Sequence, residues 1–206
     1  MLTRRWPTLI VAAGIGACAA VAGPVSVASA EDPSPADVEL TVDIGPTEGG
    51  VLALTVAADT VPLTEDGSSL DRRQFVGALP TVTVTDTRTP DEIPDGSAWA
   101  VLGTAADFTG PAGTVSAGHL GWSPHLVDGD EAGLVQAGEE VVTVLDADTQ
   151  PGNAVGLVDQ ELLASTFASA TTAGGTYQVD AELFLRTPAD VAAGSYTSTL
   201  TLSLFE

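Results

Sequence analysis

The chain has 206 residues, and its 28 acidic residues outnumber six arginines so strongly that the formal net charge is −22. Because binding to a nucleic-acid backbone depends on Lys and Arg, this balance excludes a nucleic-acid-binding protein. A single cysteine, Cys18, excludes an intramolecular disulfide.

The N-terminus has the pattern of an export signal. Two arginines are followed by an apolar stretch over residues 9–21 and then by Ala28-Ser29-Ala30. This order predicts a secretory signal peptide over residues 1–30, cleaved after Ala30 and too short for a membrane span. An alternative is a lipoprotein anchored through Cys18, because residues 15–18 resemble a lipobox. Cleavage after Ala30 leaves 28 acidic residues against four arginines, so the exported chain carries a net charge of −24.

A polar lead-in over residues 31–37 precedes the region that we expect to fold as one domain, residues 38–206. Apolar and polar residues alternate there with the period of two that is typical of half-buried strands. The alternation predicts strands over residues 38–44, 52–56, 82–84, 178–186 and 200–204, with a less regular run at 141–145. Helical turns are expected only within 158–170 and 188–193, and 164–175 is expected to form a loop. Short strands separated by Gly, Pro and Asp favour an all-β, antiparallel β-sandwich.

Side chains that could perform catalysis or hold a metal are few. Ser123 and His125 lack the glycine-flanked nucleophile elbow of a hydrolase, and Pro124 between them predicts a turn. Asp128 and Asp130 follow as weak candidates for binding Ca²⁺ or Mg²⁺, but a solvated turn explains them better. The sequence therefore predicts neither an enzyme nor a bound cofactor.

Only two tryptophans, Trp99 and Trp122, remain after cleavage of the signal peptide. Tryptophan in a β-sandwich is most often a core residue whose indole N–H finds a partner at the edge of the core. Stacking on a ligand is the alternative, and composition alone does not separate the two.

Several separated segments resemble one known family. They are VTVTDTR at residues 82–88, Trp99-Ala100-Val101, Leu120-Gly121-Trp122 and the C-terminal stretch from GTYQVD to LTLSL. Their order is similar to that of the WxL domain of Gram-positive surface proteins. The chain departs from the family pattern at Val101, where the family has leucine, and at Leu202, where the family has a second tryptophan.

The resemblance implies an extracellular protein on the cell surface that attaches non-covalently to peptidoglycan or another cell-wall polymer. It also implies partner surface proteins from the same locus, and it fits a chain in which no transmembrane anchor is predicted. Asp86 and Arg88 are two residues apart and are expected to pair beside the turn that precedes Trp99. The residues that the resemblance implicates in ligand binding are Asp86, Arg88, Trp99, Val101, Trp122, Tyr196 and Leu202.

A second function fits the same pattern of elements. A β-sandwich with open edge strands also suits a structural or adhesive subunit of a surface complex that acts through protein–protein contacts. The sequence therefore predicts a secreted, non-catalytic wall-binding protein, with the adhesive subunit as the alternative.

Overall fold

The computed structural model describes residues 49–128 and 132–206. Contacts divide the chain into Met1–Gly45 and Pro46–Glu206, and every described residue belongs to the second unit. The predicted signal peptide, the lead-in and the strand over residues 38–44 lie outside the described residues. Among those that are described, no helix combines the length and the apolar character that a membrane crossing requires.

Strands account for nearly all of the regular secondary structure in the described chain. Its one α-helix, α1 (Ser169–Thr172), has a single turn, and two 3₁₀ turns cover Pro90–Glu92 and Ala117–His119. The strands are β1 (Leu52–Val56), β2 (Thr64–Glu65), β3 (Arg72–Ala78), β4 (Val82–Asp86), β5 (Ala100–Ala105), β6 (Phe108–Gly110), β7 (Gly113–Val115), β8 (Leu120–Asp128), β9 (Gln136–Ala137), β10 (Glu161–Ser165), β11 (Thr176–Pro188) and β12 (Leu200–Phe205).

The larger sheet is organised around the 13-residue strand β11. β3 and β4 lie end to end along one side of β11. Both run antiparallel to β11, and only residues 79–81 separate them. β1 pairs with β4 and β2 pairs with β3 to form the outer edge, while β8 pairs with the other side of β11. The sheet curls strongly.

The smaller sheet has the order β12-β5-β10-β9, and all its pairs are antiparallel. β6 and β7 form a separate two-stranded ribbon. The inward residues of both sheets form one core, which includes Val82, Val84, Val101, Leu163 and Val179. The predicted all-β, antiparallel sandwich is therefore confirmed.

Some elements differ from the sequence prediction. Residues 121–125 were expected to form a turn at Pro124 but belong to β8; this is an edge strand, the place where a sheet tolerates proline. The expected loop over 164–175 begins inside β10 and contains α1. The expected run at 141–145 forms only two isolated bridges, because Val141 and Val142 bond to different neighbours.

Candidate functional site

Trp99 lies in the core, with 1 % of its surface exposed. Its indole N–H donates to the Thr172 hydroxyl at 3.1 Å, and its ring lies 6.0 Å from the Tyr177 ring. Its carbonyl accepts from the Thr166 amide at 2.9 Å. Trp99 therefore joins the start of β5 to the α1 region and to β11. The ring is not available for stacking on a ligand, which corrects the ligand-binding role implied by the resemblance.

Trp122 is fully buried between the two sheets. It extends from β8 toward β5, where a Cβ atom on Gly103 would lie only 2.5 Å from the indole ring. Only glycine leaves this space, so the ring and Gly103 fix the separation of the sheets together. Val101, on the same strand as Gly103, is also fully buried. Neither Trp122 nor Val101 can contact a ligand here, because core side chains of the opposite sheet cover them.

Asp86, Arg88 and Glu206 form a group of charged side chains that we call the Arg88 cluster. Arg88 donates to both carboxylate oxygens of Asp86, each at 2.8 Å, and to Glu206 at 2.6 Å. The side chain of Asp86 is fully buried and that of Arg88 is 10 % exposed. The Arg88 hydrogen bonds lower the pKa of Asp86 and of Glu206. The predicted Asp86–Arg88 pair is present, and it links the end of β4 to the end of β12.

The other two implicated residues, Tyr196 and Leu202, line an open groove of about 1110 Å³. This seam groove lies between the outer edge of the larger sheet and β12. Its floor is mainly apolar and includes Leu54, Phe75, Leu185, Leu200 and Leu202. Its walls are residues 58–63, between β1 and β2, and residues 191–199, before β12.

A close backbone approach positions one wall of the seam groove. The Ser195 carbonyl lies against Gly110 of β6, where any Cβ atom would collide with it. Thr197 exchanges two main-chain hydrogen bonds with Thr109, at 2.8 and 2.9 Å. The Tyr196 hydroxyl donates to the Ala192 carbonyl at 2.8 Å. Residues 192–197 therefore have a fixed shape beside the ribbon formed by β6 and β7.

The outward face of the larger sheet carries a row of hydroxyl and amide groups, which we call the threonine ladder. Thr83 of β4 lies opposite Thr55 of β1 on one side and Gln178 of β11 on the other. Thr85, two residues along, lies opposite Thr176. These side chains are exposed or half-buried, and none is hydrogen-bonded to another side chain or to the main chain in the part of the protein described. Each of them is free to donate to and accept from a ligand.

Metal-binding groups do not come together in the described residues. No set of three or more His, Asp and Glu side chains there is arranged to hold an ion. His119 Nδ1 lies 2.8 Å from the Arg186 carbonyl, and His125 is exposed beside Asp180. Asp130 and the side chain of Asp128 lie outside the described residues, so the cation prediction stays a prediction.

Known proteins offer no match that would settle the family. No protein-family model, curated protein or solved structure matches this chain. The likeness to the WxL domain therefore depends on the motifs in the sequence. The structure gives those motifs positions: VTVTD forms β4, Trp99 precedes β5, and LTLSLF forms β12.

The threonine ladder and the role of Glu206 were not predicted from the sequence. The ladder is the polar half of the alternation in β1, β4 and β11, and every strand with one exposed face has such a half, so the pattern does not mark a binding surface. The contact of Glu206 with Arg88 spans 118 residues of sequence. No local pattern predicts a bond of that range.

Proposed function

We propose that the chain is an exported, non-catalytic protein that binds a cell-wall polymer non-covalently through its threonine ladder. The supporting observation is the in-register arrangement of Thr55, Thr83 and Gln178 across three strands. Sugar hydroxyl and amide groups of peptidoglycan are neutral hydrogen-bonding partners, and a ladder of Thr and Gln offers matching donors and acceptors. The tryptophans contribute indirectly, by holding the two sheets together.

Charge limits how such a protein approaches a wall. The exported chain has 28 acidic residues against four arginines, a net charge of −24, so long-range Coulomb forces oppose association with an anionic polymer. Their range at physiological ionic strength is about 8 Å, so short-range hydrogen bonds decide the affinity after contact. Binding to the wall should therefore hold or strengthen as NaCl rises.

The test is sedimentation of the pure protein with purified Gram-positive sacculi. The double substitution Thr55→Val and Thr83→Val removes two neighbouring hydroxyl groups and keeps the branched shape that strands prefer. We expect this variant to remain largely in the supernatant. Melting curves and circular dichroism should match those of the parent, because both positions face outward.

The matched control uses the same change on the ribbon formed by β6 and β7. Thr109 and Thr114 form an exposed in-register pair between β6 and β7, and neither hydroxyl group is hydrogen-bonded in the described part of the chain. The double substitution Thr109→Val and Thr114→Val should leave retention by sacculi unchanged. Equal retention of both variants and the parent would refute the ladder as the contact surface. Release of the folded protein by added salt would show that attractive ion pairs dominate instead.

A further inference from the structure

The seam groove is bordered by main chain that has no partner. β12 pairs with β5 on one side, and within the described residues no strand covers its other side. Residues 58–63 form the facing wall and make no main-chain hydrogen bond to any described residue. Unpaired N–H and C=O groups along a sheet edge are the usual template for the addition of another strand.

The floor between these edges suits the side chains of such a strand. Leu54, Phe75, Leu185 and Leu202 present apolar surface. Thr187 also lines the groove, is 2 % exposed, and has a hydroxyl group without a hydrogen-bond partner among the described residues. A buried hydroxyl group without a partner is costly, and a main-chain group of an incoming strand would satisfy it.

The charges around the groove indicate which residues an incoming strand should carry. Two charged side chains line the groove, Asp59 and Arg73, and Arg73 is already neutralised by Glu65. Asp59 and Asp190, which precedes the lining residue Val191, are exposed and have no ion-pair partner in the described part of the chain. The chain has no lysine. Its four arginines outside the predicted signal peptide all form ion pairs, so no arginine is left to neutralise these carboxylates.

We propose that the seam groove is the docking site for an extended strand of a partner protein in which apolar residues alternate with Lys or Arg. The strand adds to the free edge of β12, its apolar residues cover the floor, and its basic residues face the acidic rim. Because β12 has six residues, a strand of six or seven residues matches it. This inference is independent of wall binding, since the threonine ladder lies on the outward face of the other sheet.

The chain itself is a poor source of this strand. Its alternating segment over residues 38–44 carries Glu39 and Asp43 at the polar positions. Like charges placed opposite each other in an interface are unfavourable. The sign of the charge therefore favours a different polypeptide over a second copy of this one.

Three synthetic peptides test the proposal against the protein comprising residues 31–206. The first is the heptapeptide VKVKVKV, the second is VEVEVEV, and the third has the sequence of the first with proline as its central residue. We expect the lysine peptide to bind, and we expect its affinity to fall as NaCl is added. The glutamate peptide should bind at least about tenfold more weakly because of repulsion. The proline peptide should also bind more weakly, since proline removes a main-chain donor.

Hydrogen exchange locates the bound peptide without any substitution in the protein. Binding should slow exchange at outward amides of β12 and within residues 58–63. The free edge of the same sheet, β9, is the internal control and should not change. Equal binding of the lysine and glutamate peptides, or protection confined to other regions, would overturn the proposal.

Hydrogen exchange in the peptide-free protein shows whether the groove is already filled by the chain itself or by a second copy. If β12 is already protected there, the groove is filled by the chain itself or by a second copy, and the proposal is wrong. Sedimentation velocity then distinguishes a monomer from a dimer.

Discussion

Arg88 is the residue on which the charged contacts at one end of the sandwich depend. It neutralises Asp86, whose side chain is fully buried, and it also holds Glu206. A buried carboxylate is tolerated only while it is paired and hydrogen-bonded, since removing one partner leaves an uncompensated charge. Removing Arg88 is therefore the more sensitive test, because it leaves the buried Asp86 carboxylate without a partner.

Replacing Arg88 with alanine should lower the free energy of unfolding by about 3–5 kcal/mol, which is typical when one partner of a buried ion pair is removed. Arg73→Ala is the control, because Arg73 and its partner Glu65 are both partly exposed, at 32 % and 44 %. An exposed pair contributes at most about 1 kcal/mol. Urea denaturation of both variants measures the difference. Similar losses in the two would contradict the special importance of the Arg88 cluster.

The two sheets contact each other where Gly103 faces the Trp122 ring. Gly103→Ala should force the Trp122 ring to move, because the added Cβ atom would lie 2.5 Å from it. Overpacking of a core typically costs about 1–3 kcal/mol. Thermal melting gives the cost, and near-ultraviolet circular dichroism reports the change around the indole.

Gly49→Ala is the control for this prediction. The added Cβ atom at Gly49 would lie 3.4 Å from its nearest neighbour, the Glu92 carboxylate, which is an ordinary contact. This variant should melt like the parent. If Gly103→Ala also melts like the parent, the ring has room to move and does not set the separation of the sheets.

The strands that the sequence predicted well have one face against the core and one face toward solvent. In β4, Val82, Val84 and Asp86 are buried and the threonines between them are half-buried, so the alternation is plain. β3 has the sequence RRQFVGA and is half-buried along almost its whole length, which removes the alternation. Its strand conformation depends on pairing with β11, more than 100 residues away. Such pairing leaves no local signal.

The candidate site was harder to predict than the fold. The sequence indicated that Asp86 and Arg88 pair, because two residues in an extended segment share a face. It could not place Trp99, whose hydrogen-bond partner Thr172 lies 73 residues away. Nor could it find the seam groove, which exists only where the edges of two sheets separate.

The stability of the protein in acid depends on two effects, the ion pairs of the Arg88 cluster and the repulsion among the many carboxylates. The pKa values of Asp86 and Glu206 are lowered in the folded protein by Arg88. Their contribution to stability is therefore complete above the unfolded pKa values of about 4 and is lost as pH falls through the folded values. Burial raises the pKa of Glu161, which acts in the opposite direction.

Acid also relieves the general repulsion among carboxylates, so the parent alone gives a mixed result. The difference in unfolding free energy between the parent and Arg88→Ala isolates the cluster, because the background repulsion is largely common to both. This difference should be largest near pH 7 and should shrink as the pH falls, because the buried Asp86 carboxylate takes up a proton more readily in the variant than in the parent. Denaturation at a series of pH values measures it. A difference that grows in acid would contradict the assigned ion pairs.

The pairing of every described arginine has a consequence for digestion by proteases. Trypsin must draw a lysine or arginine side chain into a deep pocket, and this chain offers no lysine. Arg72 and Arg73 lie within β3, Arg186 lies within β11, and Arg88 is held by two carboxylates. The folded region therefore exposes no ready cleavage point to trypsin-like enzymes, and its lifetime among them is governed by how often it unfolds.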